Sequence, residues 1–260
     1  MDPVRHYLLA LQFFTRIPVT GRLAAWAGYS PQRLHDSAAH LPGVGWLVGA
    51  LAALVYGAVA VSLPDTPYDT LVAAVLSTVC TVWLTGAFHE DGLADVADGL
   101  GGSHERERAL EIMKDSRLGT FGVLALVLAL LSKVALLAAL GEVDLGLTCL
   151  GLFVAHVVSR FMPLLLIRLM PYVGDAARSK SAPLTGQISG ISLLTLGALA
   201  LGWSLDPDIN WLGALLGALL AAGFMGRMLW RRLQGYNGDG LGATQQVCEL
   251  LFYVGLLLSL

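Results

Sequence analysis

Apolar residues in this chain run on instead of alternating. Stretches long enough to cross about 30 Å of hydrocarbon, which takes about 20 residues of helix, recur at 44–63, 68–88, 120–140, 146–169, 187–205, 209–230 and 242–260. The pattern predicts an all-α fold: a polytopic integral membrane bundle of about seven transmembrane helices, forming one domain over residues 1–260. Pro42, Pro64, Pro67, Pro171, Pro183 and Pro207 fall near the ends of these runs, where a helix-breaking residue belongs. The last run is the poorest, because Glu249 lies inside it and Gly240, Gly242 and Gly255 interrupt it; six spans plus a re-entrant segment is the alternative. The first apolar stretch, Tyr7 to Phe14, is too short to span and is flanked by Arg5 and Arg16. Lacking a small-residue cleavage site, it reads as a short interfacial helix and not as a signal peptide.

Composition agrees with this pattern. Of the 260 residues, 56% are hydrophobic and 13% charged, where a soluble domain carries about 25% charged residues, and mean hydropathy is +0.69. The net charge of -3 decides little, but its distribution sets an orientation. Arg5, Arg16, Arg22 and Arg33 precede the first span; Arg106, Arg108, Lys114 and Arg117 lie in 89–119; Arg178 and Lys180 lie in 170–186; Arg227, Arg231 and Arg232 close the sixth span. Loops 64–67, 141–145 and 206–208 hold no Lys or Arg. The expected arrangement is a multi-pass protein of the cytoplasmic (inner) membrane, with the N-terminus and the three long loops in the cytoplasm. Cys80, Cys149 and Cys248 sit in apolar runs without pairing or metal-ligand spacing, and read as small core residues.

The loop 89–119 carries the chemistry. Asp91, Asp95 and Asp98 stand at i, i+4 and i+7, so a helix turns all three carboxylates onto one face within about 60° of arc. An acidic helix at a membrane surface is more often a solvated face than a site. Here the intervening Gly92, Leu93, Ala94, Val96 and Ala97 are small and apolar, so the stripe has no polar face to merge with. Two such charges about 6 Å apart at an effective dielectric of about 20 repel by roughly 3 kcal/mol, which calls for protonation or a cation. All-oxygen ligands suit Mg²⁺ or Mn²⁺, with substrate phosphates completing the shell. The expected order is a helix through 90–98, a break at Gly99, Gly101 and Gly102, and a second helix capped by Ser103.

Lys114 and Arg117, by default ordinary positive-inside charges, flank Asp115 at a turn in the same loop; there they can clamp phosphate oxygens while Asp115 completes the metal site. His89 beside the stripe is a candidate general base. Within the spans Lys133, His156, Arg160 and Glu249 are costly, by about 2.5–3.5 kcal/mol for a charged side chain at the bilayer centre, and are functional candidates for that reason. Arg160 is the stronger, since Lys133 is long enough to snorkel. Near the C-terminus, Tyr236-Asn237-Gly238-Asp239-Gly240-Leu241-Gly242-Ala243 is a glycine-rich turn, a weak signal raised by its place on the same face as the stripe. Metal-binding carboxylates, arginines and such a turn suggest phosphoryl or nucleotidyl transfer.

Together these motifs resemble a known family. His89-x-Asp-Gly-Leu-Ala-Asp-x-x-Asp-Gly, then Leu110-Glu111-Ile112-Met113-Lys114-Asp115-Ser116-Arg117-Leu118-Gly119-Thr120-Phe121-Gly122, looks like the cobalamin synthase (adenosylcobinamide-GDP ribazoletransferase) family. Phe14-Thr15-Arg16-Ile17-Pro18-Val19, Leu41-Pro42-Gly43-Val44-Gly45 and Gly238-Asp239-Gly240-Leu241-Gly242-Ala243 extend the likeness over nearly the whole chain. The resemblance implies a Mg²⁺-dependent membrane enzyme of late vitamin B12 assembly, joining adenosylcobinamide-GDP to α-ribazole or its 5′-phosphate and releasing GMP. It implies Mg²⁺ on Asp91, Asp95, Asp98 and Asp115; substrate contacts from Lys114, Arg117, Arg160, Asn237 and Asp239; and Asp98 or His89 as acceptor of the hydroxyl proton. Two residues depart from the pattern: Glu90, where an apolar residue is expected, and Gln246, where an acid is common. Tyr172-Val173-Gly174-Asp175-Ala176-Ala177-Arg178 is only loosely like the family's basic loop. Competing readings are a CDP-alcohol-type phosphotransferase, whose Asp-Gly-x-x-Ala continues with Arg where this chain has Asp95, and a transporter, which predicts midplane charges and repeated halves.

Overall fold

The computed structural model describes residues 3–174 and 209–260. The expected span at 187–205 and the loosely matching basic residues Arg178 and Lys180 lie outside the described residues. The described helices are α1 (Pro3–Phe14), α2 (Gly21–Ala27), α3 (Pro31–Ser37), α4 (Leu41–Ser62), α5 (Asp69–Thr85), α6 (Phe88–Gly102), α7 (Arg106–Met113), α8 (Thr120–Val143), α9 (Leu145–Leu169), α10 (Leu212–Leu233) and α11 (Gly238–Leu257). Among the described residues there is no strand, only an isolated bridge between Tyr172 and Tyr236.

The chain is a polytopic helical bundle. Four described segments are long and apolar enough to cross a membrane: Gln32–Ser62, α8, α9 and α10. A fifth crossing arises if α5 and α6 count as one span bent by 88°. Seven spans are therefore not what the described residues show. The expected last crossing is a helix, α11, but it falls outside the segments apolar enough to span, since Asp239, Gln245, Gln246 and Glu249 interrupt it. It sits inside the bundle, with Gly240 through Gln246 buried without a break.

Close approach of backbones builds this bundle, because lipid offers helices no hydrophobic incentive to associate. Gly45 and Gly49 of α4 lie one turn apart against α9; a Cβ on Gly49 would stand 2.8 Å from the Phe153 carbonyl, and one on Gly45 would strike that of His156. Gly213 and Gly217 of α10 meet Gly255 and Leu251 of α11 in the same way. Two apolar clusters result. One gathers Phe14, Val44, Val96, Met113, Leu164, Leu229 and Leu241 near the acidic helix. The other gathers Tyr56, Leu137, Leu152, Phe252 and Leu256 deeper in the bundle.

The glycines expected to break the acidic helix do not do so. The helix α6 continues through Gly99, Gly101 and Gly102 and stops at Ser103, whose φ of -149° is extended. Those positions are glycine because side chains crowd them: a Cβ on Gly99 would fall 2.6 Å from the Met113 side chain, and one on Gly101 2.6 Å from Phe121. Ser103 does not cap α7 either; its Oγ accepts from the Glu105 N–H at 3.1 Å, just ahead of the first helical residue, Arg106.

Candidate active site

A left-handed corner places α6. Gly86 (φ 66°) ends α5 and Ala87 (φ 59°) follows it, so α6 leaves α5 at 88°. Its exposed edge forms one wall of a cleft of about 380 Å³, lined by Asp91 and Asp95 and, on the opposite rim, by Lys114, Asp115, Ser116 and Arg117. Acidic stripe and basic turn thus meet, as their place in one loop suggested.

A third acid joins from far along the chain. The first turn of α11 crosses α6 where Gly92 meets Asp239: a Cβ on Gly92 would stand 2.8 Å from the Asp239 carbonyl. Burial, then Asp239, Asp91 and Asp98, push Asp95 up to about 7. Asp239 rises to about 6 through burial and the Asp91 charge. Asp115 goes the other way, down to about 2, held by hydrogen bonds from Arg117, whose Nε donates to Oδ1 at 2.9 Å and to Oδ2 at 3.1 Å.

Several expected ligands are occupied elsewhere. Asp98 turns inward, and its two oxygens accept the N–H groups of Gly119 at 2.7 Å and Gly122 at 2.8 Å, capping α8. A Cβ on either glycine would collide with that carboxylate. With both oxygens engaged and the side chain buried, Asp98 holds the basic turn against α6 and does not face the cleft. Asn237 is likewise a buried cap: its Oδ1 accepts from the Gly240 N–H at 2.8 Å, and its Nδ2 donates to Asp239 Oδ2 at 3.0 Å. His89 is buried in an apolar pocket with Phe14, Phe88 and Leu164, and its Nε2 has no partner among the described residues. It sits on the opposite side of α6 from Asp91 and Asp95, out of the cleft.

Arg160, expected at the substrate, is inside the bundle. It is 2% exposed and one of its terminal nitrogens donates to the His156 carbonyl at 3.1 Å and lies 2.8 Å from His156 Nδ1. Lys133 does not snorkel: Nζ lies 2.7 Å from Glu249 Oε1. Glu249 also accepts from Tyr253 at 3.2 Å and from Gln245 at 2.8 Å, and stands 3.6 Å from His156. Gln245 Nε2 donates as well to Ser159 Oγ at 2.9 Å. Gln246 continues the chain of contacts, donating to Gln245 Oε1 at 2.9 Å and to Glu90 Oε1 at 3.2 Å. The four intramembrane ionisable residues therefore form one buried network that ends on the acidic helix. The two departures from the family pattern, Glu90 and Gln246, are each other's partners.

Among the described residues, no three His, Cys, Asp or Glu side chains are grouped to hold a metal ion by themselves. The donor set around Asp91 and Asp95 is nonetheless all oxygen, and its mutual repulsion is what a divalent cation relieves. Such a site suits an ion that takes one or two carboxylates and fills its shell with phosphate and water.

Comparison with known proteins bears on the same chemistry. A family model described as Cobalamin-5-phosphate synthase matches residues 6–257. An adenosylcobinamide-GDP ribazoletransferase of Polaromonas sp. (strain JS666) is 60% identical, over 99% of this chain and 98% of that protein. Proteins of the same description from Albidiferax ferrireducens and Vibrio cholerae are 59% and 43% identical, covering 99% and 96% of this chain and 99% and 92% of theirs. No solved structure matches. With a family model spanning nearly its full length and relatives of this identity, the chain belongs to the cobalamin-5-phosphate synthase family.

Proposed function

We propose that the chain joins adenosylcobinamide-GDP to α-ribazole, or to its 5′-phosphate, giving adenosylcobalamin or its 5′-phosphate and GMP. A free ribose hydroxyl of the ribazole, one that stays unesterified in the 5′-phosphate, loses its proton and forms a bond to the phosphorus carrying cobinamide; the bond from that phosphorus to the bridging oxygen breaks, and GMP leaves with that oxygen. The observation that carries this reading is the single cleft in which Asp91 and Asp95 face Lys114 and Arg117. A diphosphate brings negative charge that the acidic wall repels and the basic rim attracts, so it binds bridged between them only with a cation on the acids.

Mg²⁺ fits as that cation, on Asp91 and Asp95 with Asp239 beside them, and would neutralise charge on the transferred phosphoryl group. Lys114 and Arg117 hold the phosphate oxygens, and Asp115 fixes the orientation of the Arg117 guanidinium. Asp98 and Asn237 position the basic turn and Asp239. The cleft's own carboxylates are the acceptors at hand for the hydroxyl proton. We place the cleft on the cytoplasmic side of the inner membrane, where nucleotides and Mg²⁺ are found; the distribution of Lys and Arg supports that side.

Membranes carrying the chain are expected to release GMP from adenosylcobinamide-GDP only when α-ribazole and Mg²⁺ are both present. Asp91→Asn should lower the rate at least a hundred-fold, and EDTA should abolish it reversibly. Release of CMP from a CDP-alcohol instead, or full activity in Asp91→Asn, overturns the reading.

A further inference from the structure

A second concavity lies on the outer side of the bundle. A groove of about 510 Å³ runs between α5 and α8, walled by Val75, Val79, Val82 and Trp83 of α5 and by Leu130 and Val134 of α8. Along most of its length it is apolar and open outward, with Val79 and Trp83 exposed. Two residues break that character.

At one end stands Arg16. Its N–H donates to the Leu84 carbonyl at 2.7 Å, which seats it on the last turn of α5, and its side chain lies across Gly86, with Nε 2.6 Å from where a Cβ would be. Among the described residues its guanidinium has no hydrogen bond or ion pair. Within the groove stands Thr78, 6% exposed, whose Oγ1 has no partner among the described residues. It precedes Thr85 by seven residues, about 10 Å of helix.

We propose that this groove binds one anionic glycerophospholipid. Its phosphate sits on Arg16, an ester carbonyl accepts from Thr78, and an acyl chain lies along Val75, Val79, Leu130 and Val134. The three features fit no simpler ligand. A hydrocarbon chain alone leaves the cation and the hydroxyl unserved, and a small phosphate ion leaves the slot bare. An arginine takes a phosphate through two donors at once, and its stem lies along apolar surface while its head reaches the interface. A zwitterionic head group carries its own cation beside the phosphate and gains less from Arg16. Ala87 walls both this groove and the acidic cleft, so the lipid head group would lie against the corner that aims α6. The proposal does not depend on the reaction proposed above.

Native mass spectrometry of the full chain, released from nanodiscs holding equal phosphatidylglycerol and phosphatidylcholine, tests it. One phosphatidylglycerol per chain should be retained preferentially. Arg16→Gln should cut that preference about five-fold, the order expected for one cation at an anionic lipid surface, and Arg16→Lys should keep most of it. Val79→Trp, which fills the slot, should lower retention of both lipids, while Leu128→Trp, on α8 outside the groove, should change neither. Undiminished preference in Arg16→Gln, or undiminished retention in Val79→Trp, overturns the proposal. So does saturable binding of inorganic phosphate to Arg16 that survives Val79→Trp, because the occupant is then a free anion.

Discussion

In the folded chain burial and the charges of Asp239, Asp91 and Asp98 all disfavour the ionised form of Asp95, pushing it up to about 7 from an ordinary 3.8. A carboxyl raised in this way binds its proton more tightly folded than unfolded. Its contribution is fully present below about pH 4 and is lost as pH rises through about 7. Asp239, raised to about 6, adds the same sign. Melting in detergent with EDTA should therefore fall by a few degrees between pH 5 and pH 8. Asp95→Asn should flatten that slope, and millimolar Mg²⁺ should recover the loss at pH 8. Asp98 predicts differently: Asp98→Ala removes a cap worth about 1 kcal/mol, and because the same carboxylate anchors the turn bearing Lys114 and Arg117, turnover should drop further than the melt accounts for. The spacing of 91, 95 and 98 made the stripe legible from the sequence, and the all-oxygen character with it. The inward turn of Asp98 was not legible, since its partners Gly119 and Gly122 lie 21 and 24 residues further along the chain.

Among the helices, small residues decide which pairs touch. Gly49→Leu forces a side chain into the Phe153 backbone, and overpacking of this kind costs about 1–3 kcal/mol. Gly223→Ala meets nothing within 4 Å and serves as the control, with unchanged or slightly raised stability. Thermal unfolding of both variants in one detergent checks the pair. Hydropathy alone located α4, α5, α8, α9 and α10 to within a few residues. It did not foresee how deeply α11 is enclosed by protein, and it took Gly99, Gly101 and Gly102 for a break, for related reasons. A glycine chosen for close contact is indistinguishable in sequence from one chosen to end a helix, and a helix surrounded by protein tolerates Gln245, Gln246 and Glu249 where one surrounded by lipid does not.

For the molecule as a whole, the network from Lys133 through Glu249 and Gln246 to Glu90 ties α8, α9 and α11 to the acidic helix. Breaking one partner of a buried pair leaves an uncompensated charge, at about 3–5 kcal/mol, whereas replacing both with apolar residues is often neutral. Glu249→Met and Lys133→Met should thus each destabilise strongly, and the double change should recover most of the loss. Chemical unfolding of the two singles and the double, as a cycle, measures the coupling. From the sequence each of these residues was a costly anomaly. That the anomalies answer one another is a property of the packed bundle, visible only when α8, α9 and α11 converge.

The corner at Gly86 and Ala87 also bears on how the proposed reaction site meets the bilayer. With 17 residues, α5 reaches about 25 Å, less than the roughly 30 Å of a typical hydrocarbon layer. If α5 and α6 make one bent crossing, a thicker membrane thins around α5 or pulls its end inward, and α6, set at a right angle to it, sinks with its acids toward the hydrocarbon. Turnover in vesicles of graded acyl length should therefore peak in the shorter lipids, making bilayer thickness a setting of the catalyst itself.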